Sequence, residues 1–339
     1  MLKKSFIPLL AGAALVSVIA SLAPAARTAI TENLPHQLTA QSSQGQMSAT
    51  ELKGFNGTII SFAISPDGKT LLVAGGDGTI SAVNLSNSQP DYSDNFKLND
   101  FSNLAISPDG QVFAAAQKTD IGVFGLSNGE QKMTLRGHAG QVSALAISPD
   151  SKTLVSTSGE DRTIRVWNLE NGNLIQTIGE DIGPVTEVTF SPDGQYFVTG
   201  SIGDYRYIKF WDAATLKLLK TYPQQPYIYG LAITPDGQKL VAAVKNYVKV
   251  WDIASGQELW NKKGPNLDIN AIAISPDGRQ VATANKEGTI MLFEIASGQL
   301  LKTLSAQKGW VLAVAFSPDG QYLYGGGEDK TIKIWDLSQ

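Results

Sequence analysis

The sequence predicts an all-β chain closed into a ring, a seven-bladed β-propeller with four antiparallel strands in each blade. Three observations carry that expectation. First, the tetrapeptide Ser-Pro-Asp-Gly or a near variant recurs at residues 65–68, 107–110, 148–151, 191–194, 234–237, 275–278 and 317–320. Second, successive copies begin 42, 41, 43, 43, 41 and 42 residues apart, the period of a unit too small to bury its own apolar sheet. Third, the segment before each copy, such as 142–147 or 311–316, is a nearly unbroken apolar run. An alternation of apolar and polar residues would mark a half-exposed strand, whereas these runs suit sheets covered on both faces.

Each element follows in order along the repeat. The position two residues before the turn is Ala63, Ala105, Ala146, Ala232, Ala273 or Ala315, with Thr189 in the fourth unit. Its neighbours are large, so one small face and one large face nest against adjacent sheets. In the turn, proline presets φ, serine caps, and glycine takes the left-handed conformation that follows. A second strand, as at 153–158, leads to a turn and then a third strand, as at 164–169, which ends in an aromatic and a polar residue. A fourth strand, as at 174–178, completes the unit. The chain stops after a third strand, so the last blade needs a strand from elsewhere. Residues 51–55, ahead of the first inner strand, read like the outer strands and are expected to close the seventh blade, because a bare edge invites aggregation.

These units resemble the blades of the WD-repeat family from about residue 50 to 337. The dipeptide itself stands at Trp211-Asp212, Trp251-Asp252 and Trp335-Asp336, with Trp167-Asn168 and Phe293-Glu294 as variants. Gly137-His138 is the surviving glycine-histidine pair. The resemblance implies a hydrogen-bonded tetrad of His138, Thr157, Asp161 and Trp167 in the third repeat. Departures occur at Val83 and Phe124, in the tryptophan position of the first two repeats, and at Gln307, near the histidine position of the last.

Ahead of the repeats, Lys3 and Lys4 precede an apolar run at 6–20 and a small-residue stretch at 22–26. Charged, apolar and small-residue regions in that order read as a secretory signal peptide over 1–26, cut after Ala25 or Ala26. An uncleaved anchor helix is the alternative, against which Pro8 and Gly12 interrupt the run. Residues 27–46, rich in Thr, Gln and Ser, read as a flexible polar linker, and 47–339 as the propeller. The expected location is the periplasm or the extracellular space, with no membrane association after signal removal and with the propeller a monomer.

Composition narrows the chemistry. Twenty-seven basic and thirty-one acidic residues give a net charge of -4, which offers no positive field for a phosphate backbone, so nucleic acid is not expected. There is no cysteine, and His36 and His138 are the two histidines. Thiolate chemistry and cysteine or histidine-rich metal centres are therefore ruled out, and no metal or cofactor is expected. No serine elbow, zinc helix or phosphate loop occurs either. The reading is a non-catalytic scaffold for protein or peptide partners. The alternatives are a propeller enzyme resembling lactonases or quinoprotein dehydrogenases, or a small-ligand binder using the central channel. Only Asp100, Asp268 and Glu187 near the channel support an enzyme.

In propellers of this family partners dock on the face formed by loops entering the inner strand and loops joining the second and third strands. The residues seven before each turn are Thr58, Asp100, Gln141, Pro184, Tyr227, Asp268 and Trp310. Two further along stand Ile60, Ser102, Ser143, Thr186, Tyr229, Asn270 and Leu312. Exposed Tyr, Trp and Arg dominate interface energetics. The expected docking residues are therefore Tyr205, Arg206, Tyr207, Tyr227, Tyr229 and Trp310, with Asp100, Asp268 and Asn270 beside them.

Overall fold

The computed structural model describes residues 47–87, 89–92, 101–179, 183–202, 207–223 and 227–338. These residues form twenty-eight strands, numbered β1 to β28 along the chain, and no helix. They assemble as seven four-stranded antiparallel sheets. The inner strands are β2 (Ile59–Ile64), β6 (Phe101–Ile106), β10 (Val142–Ile147), β14 (Val185–Phe190), β18 (Ile228–Ile233), β22 (Ile269–Ile274) and β26 (Val311–Phe316). Each packs on the next, and β2 packs on both β6 and β26. The ring is closed.

The seventh blade runs β1 (Ala49–Leu52), β28 (Ile332–Asp336), β27 (Tyr322–Gly327), β26. Its outer strand therefore comes from the start of the propeller, with Ala49 opposite Trp335 and Leu52 opposite Ile332. The strand begins and ends earlier than the 51–55 expected from sequence. Gly54 takes φ +105, outside the extended region, and ends the ladder there.

The turn tetrapeptides behave as local chemistry requires. In every copy the first hydroxyl donates to the aspartate Oδ1, at 2.6 Å for Ser65 and 2.5 Å for Ser148. The same oxygen accepts a backbone N–H two residues on, as from Lys152 at 3.0 Å. Burial alone would push the Asp150 carboxyl up, but these bonds and the Lys152 charge hold it below its usual range. Proline and glycine also interlock neighbouring blades. A Cβ built on Gly68 would stand 3.7 Å from Pro318, across the closure seam.

One irregularity recurs in all seven blades. The pairing of inner and second strands slips near the start of the inner strand, as between Ile59 and Ser61, Val185 and Glu187, or Ile228 and Gly230. Such a bulge leaves one residue without a ladder partner and re-aims its side chain. Ile60, Thr186, Tyr229, Asn270 and Leu312 occupy that place.

Candidate functional site

The buried polar network of the third blade is the best-defined cluster. His138 Nδ1 lies 2.8 Å from Asp161 Oδ2, and Nε2 lies 2.8 Å from Ser156 Oγ. Trp167 Nε1 donates to the same Ser156 oxygen at 2.8 Å. Burial lowers the affinity of His138 for a second proton, against the opposing pull of Asp161. A neutral ring that donates from Nδ1 to Asp161 and accepts from Ser156 at Nε2 satisfies every group. The network pins the loop entering β10 to the third strand, β12 (Thr163–Asn168).

This corrects one residue of the expected tetrad. Thr157 is not a member, and its buried hydroxyl has no hydrogen-bond partner among the described residues. Leu154 of β11 (Thr153–Ser158) lies opposite Trp167, so 154, 156 and 158 share the tryptophan's face. Thr157 lies opposite Ala144, on the face that packs against Val185 and Val188 of the fourth blade. Accordingly, Ser156→Ala is expected to cost about 1–3 kcal/mol by stranding two buried groups. Thr157→Val is expected to be neutral or stabilising, because its hydroxyl forms nothing to lose. Urea titration of the two variants distinguishes them, and equal losses would contradict the assignment.

The loops on the opposite face from the turn tetrapeptides are joined by a repeated backbone bond. The first residue after the second strand donates its N–H to the carbonyl of the residue seven before the turn: Gly76 to Thr58, Ile202 to Pro184, Lys245 to Tyr227, Lys286 to Asp268 and Glu328 to Trp310. These bonds hold the residues of that set at the rim of the channel mouth. Their side chains differ from blade to blade, and the two aromatic ones, Tyr227 and Trp310, stand in the fifth and seventh blades.

There the rim forms a continuous arc. Lys245 Nζ sits 5.6 Å from the centre of the Tyr227 ring, and Tyr227 stacks on Tyr229 at 6.2 Å with planes 10° apart. Next come Asp268 and Lys286, paired at 3.3 Å, and Lys286 Nζ lies 4.9 Å from the centre of the Trp310 ring. Burial first, then the nearby Asp268 charge, raises the Tyr229 hydroxyl above its usual range, so it stays a neutral donor. Tyr227 is 37% exposed and is held at φ 56. That left-handed conformation is uncommon for a bulky residue and has to be maintained by its surroundings. The Tyr227 carbonyl accepts the Lys245 N–H at 3.1 Å.

Of the expected docking residues, Tyr227, Tyr229, Asp268 and Trp310 are brought together in this arc. Tyr207 is exposed at the start of its strand, beneath the Lys209 ammonium at 5.8 Å from the ring centre. Tyr205, Arg206 and Asp100 lie outside the described residues. Asn270 departs from expectation: it is 6% exposed, and its Nδ2 donates to the Val311 carbonyl at 2.9 Å. The inter-blade seam absorbs it, because an amide that reaches the next inner strand satisfies a backbone acceptor there. Lys245 and Lys286 belong to the arc but were missed. Both stand eleven residues after the first residue of their turn, a fixed offset from which they could have been read.

Seven four-stranded sheets closed into a ring, with interlocked turns on one face and a loop-built rim on the other, define a repeat propeller. A family model described as "WD domain, G-beta repeat" matches residues 46–82, 129–168, 172–212, 216–252, 256–294 and 298–336. The chain belongs to the WD-repeat family. The second repeat falls between the matched segments, yet it folds as a blade, with Phe124 in the tryptophan position stacked on Phe113 at 5.1 Å.

The chain is 51% identical over 260 residues to a WD repeat-containing protein of Synechocystis sp., covering 76% of this chain and 75% of that protein. It is 32% identical over 87 residues to the serine-threonine kinase receptor-associated protein of Dictyostelium discoideum, covering 25% and 30%. It is 25% identical over 162 residues to the small ribosomal subunit protein RACK1 of Brassica napus, covering 48% and 35%. The last two matches thus span about a third of those relatives' own lengths.

Proposed function

We propose that this chain is a non-catalytic interaction scaffold, exported from the cytoplasm, that docks a protein or peptide partner on the rim of its fifth to seventh blades. The arc from Lys245 through Tyr227, Tyr229, Asp268 and Lys286 to Trp310 carries this reading. It offers rigid aromatic surface with charged groups already positioned over the rings, the composition on which interface hot spots are built. WD-repeat propellers commonly serve as interaction scaffolds. The names of two matched relatives, a receptor-associated protein and a ribosomal subunit protein, support protein partners for this chain as well. Export rests on the signal-like pattern of residues 1–26.

Photo-crosslinking in intact cells tests both parts. A photoreactive residue at Tyr227 is expected to trap discrete protein adducts in the envelope fraction, and one at Lys69, on the opposite face, none. Tyr227→Ala and Trp310→Ala are each expected to weaken capture roughly thirtyfold or more with unfolding unchanged. Equal trapping from both faces would overturn the docking site. Adducts confined to the cytosol would overturn export.

A further inference from the structure

We infer that the seam between the fourth and fifth blades is a pH-responsive joint, shut while Glu187 is neutral and parted at the rim, unseating Tyr227 and Tyr229, when Glu187 ionises. The joint is a property of the ring itself, whatever binds there. Its consequence for capture rests on the docking reading above.

Three features that each disfavour a closed, regular seam meet at this place. The first is the acid. Glu187 lies opposite Gly200, and a Cβ built on Gly200 would stand 2.9 Å from Ile228 and 3.0 Å from Leu231 of the fifth blade. The corresponding Ala144 and Ala313 share their cores with similar apolar walls, Val185 with Val188 and Ile59 with Phe62. Glu187 puts a carboxyl into the slot that alanine fills there, with Oε2 buried and without a hydrogen-bond partner among the described residues.

The second feature is the bulge of β18. Its pairing with β19 (Lys239–Val244) slips between Ile228 and Gly230, so Tyr229 has no ladder partner. The third is Tyr227, left-handed at φ 56. These two tyrosines flank Ile228, the residue beside Glu187. The hold across the seam is weak at this end as well. Thr186 Oγ1 reaches the Ile228 carbonyl at 3.5 Å, beyond the usual range for a hydroxyl donor. Asn270 makes the equivalent crossing from the sixth blade to the seventh at 2.9 Å.

The surroundings of Glu187 offer a carboxylate no compensation. β14 packs on β10, β11, β15 (Tyr196–Ser201) and β18. β10 and β11 hold no titratable residue. β15 holds Tyr196, bonded to the turn tetrapeptide through Ser191, and β18 holds Tyr229, stacked on Tyr227. Lys245, on the rim, is engaged with the Tyr227 ring. Glu180, Asp181, Asp204 and Arg206 lie outside the described residues. Burial is the cause that raises the Glu187 carboxyl, with no neighbouring charge to oppose it.

A carboxylate in that slot has to reach water. Unfolding the whole ring would expose it, and so would parting the start of β18 from β14. Parting breaks one long hydrogen bond, leaves β18 paired with β19 beyond Gly230 and lets Tyr227 leave the left-handed region, so it is the cheaper opening. The joint is therefore shut below the pH at which Glu187 ionises. Above it, opening is favoured about tenfold more for each further pH unit.

Amide hydrogen exchange of the full-length protein from pH 5 to 9 tests this. The readout is the exchange of residues 227–233 relative to 268–274, the matching segment of the sixth blade. In the wild type this ratio is expected to rise, by about tenfold per pH unit once Glu187 ionises. In Glu187→Gln and in Glu187→Ala, which restores the residue of the third, sixth and seventh blades, it is expected to stay constant. A constant ratio in the wild type would overturn the inference. So would a rise that persists in both variants, or faster exchange of both segments together, which would mean that the whole ring opens. Trapping by a photoreactive residue at Tyr227 is expected to fall over the same range in the wild type and to persist in Glu187→Gln. If the segment opened while trapping stayed unchanged, the joint would stand and the docking reading at Tyr227 would fall.

Discussion

Deleting residues 47–56 is expected to lower the melting temperature by about 10–15 °C. The strand removed makes four residue pairings with β28 and buries Leu52 against the closure seam. Ladder hydrogen bonds contribute about 0.5–1.5 kcal/mol each, and a buried leucine side chain about 1.5–3 kcal/mol. The sum is about 5 kcal/mol, and a domain of this size shifts by about 2–4 °C per kcal/mol. The deletion also bares the edge of β28, with Trp335 on it, so concentration-dependent association is expected to accompany the loss. Thermal unfolding together with size-exclusion chromatography reads both effects. An unchanged melting temperature would mean that the closing strand contributes nothing to the ring.

The second large effect concerns Glu187. This residue of β14 is 2% exposed, and its Oε2 has no hydrogen-bond partner among the described residues. It lies opposite Gly200, beside Ile228 and Leu231 of the fifth blade. The equivalent position in the third, sixth and seventh blades is Ala144, Ala271 or Ala313. Burial pushes the Glu187 carboxyl well above its ordinary value of 4.5. The folded state therefore keeps a proton that the unfolded chain releases.

The sign follows from that difference. With the folded value raised, the group's contribution is fully present below pH 4.5 and is lost as pH rises through the folded value. Within that window the wild type is expected to lose up to about 1.4 kcal/mol per pH unit. Glu187→Gln, which has nearly the same shape and no titration, is expected to abolish this slope. It should be more stable than the wild type at alkaline pH and no more stable in acid. Chemical denaturation from pH 4 to 9 makes the comparison, and parallel curves for the two proteins would refute the buried neutral acid.

Much of the architecture was legible before any coordinates, because it is written in local chemistry. Proline, aspartate and glycine at fixed places specify a turn wherever they occur, and their regular recurrence counts the blades. The missing fourth strand of the last unit likewise announced closure by the first. The errors came where a side chain's environment depends on strand register or on a neighbouring blade. Thr157 and Ser156 are adjacent hydroxyl residues, and only the pairing of Leu154 with Trp167 decides which of them faces the histidine. Asn270 was expected at the surface, and the carbonyl of Val311, forty-one residues away, draws it inside.

The sequence by itself determined the fold class, the number of blades and the strand that joins the ends, since these follow from turn chemistry and from repeats that cannot bury their sheets alone. Only the tertiary structure decided which side chains meet at the rim. Lys286 belongs to the sixth blade and Trp310 to the seventh, and their meeting at 4.9 Å is set by how two sheets pack. A repeat dictates its own backbone, whereas a binding surface arises from residues that different repeats bring together.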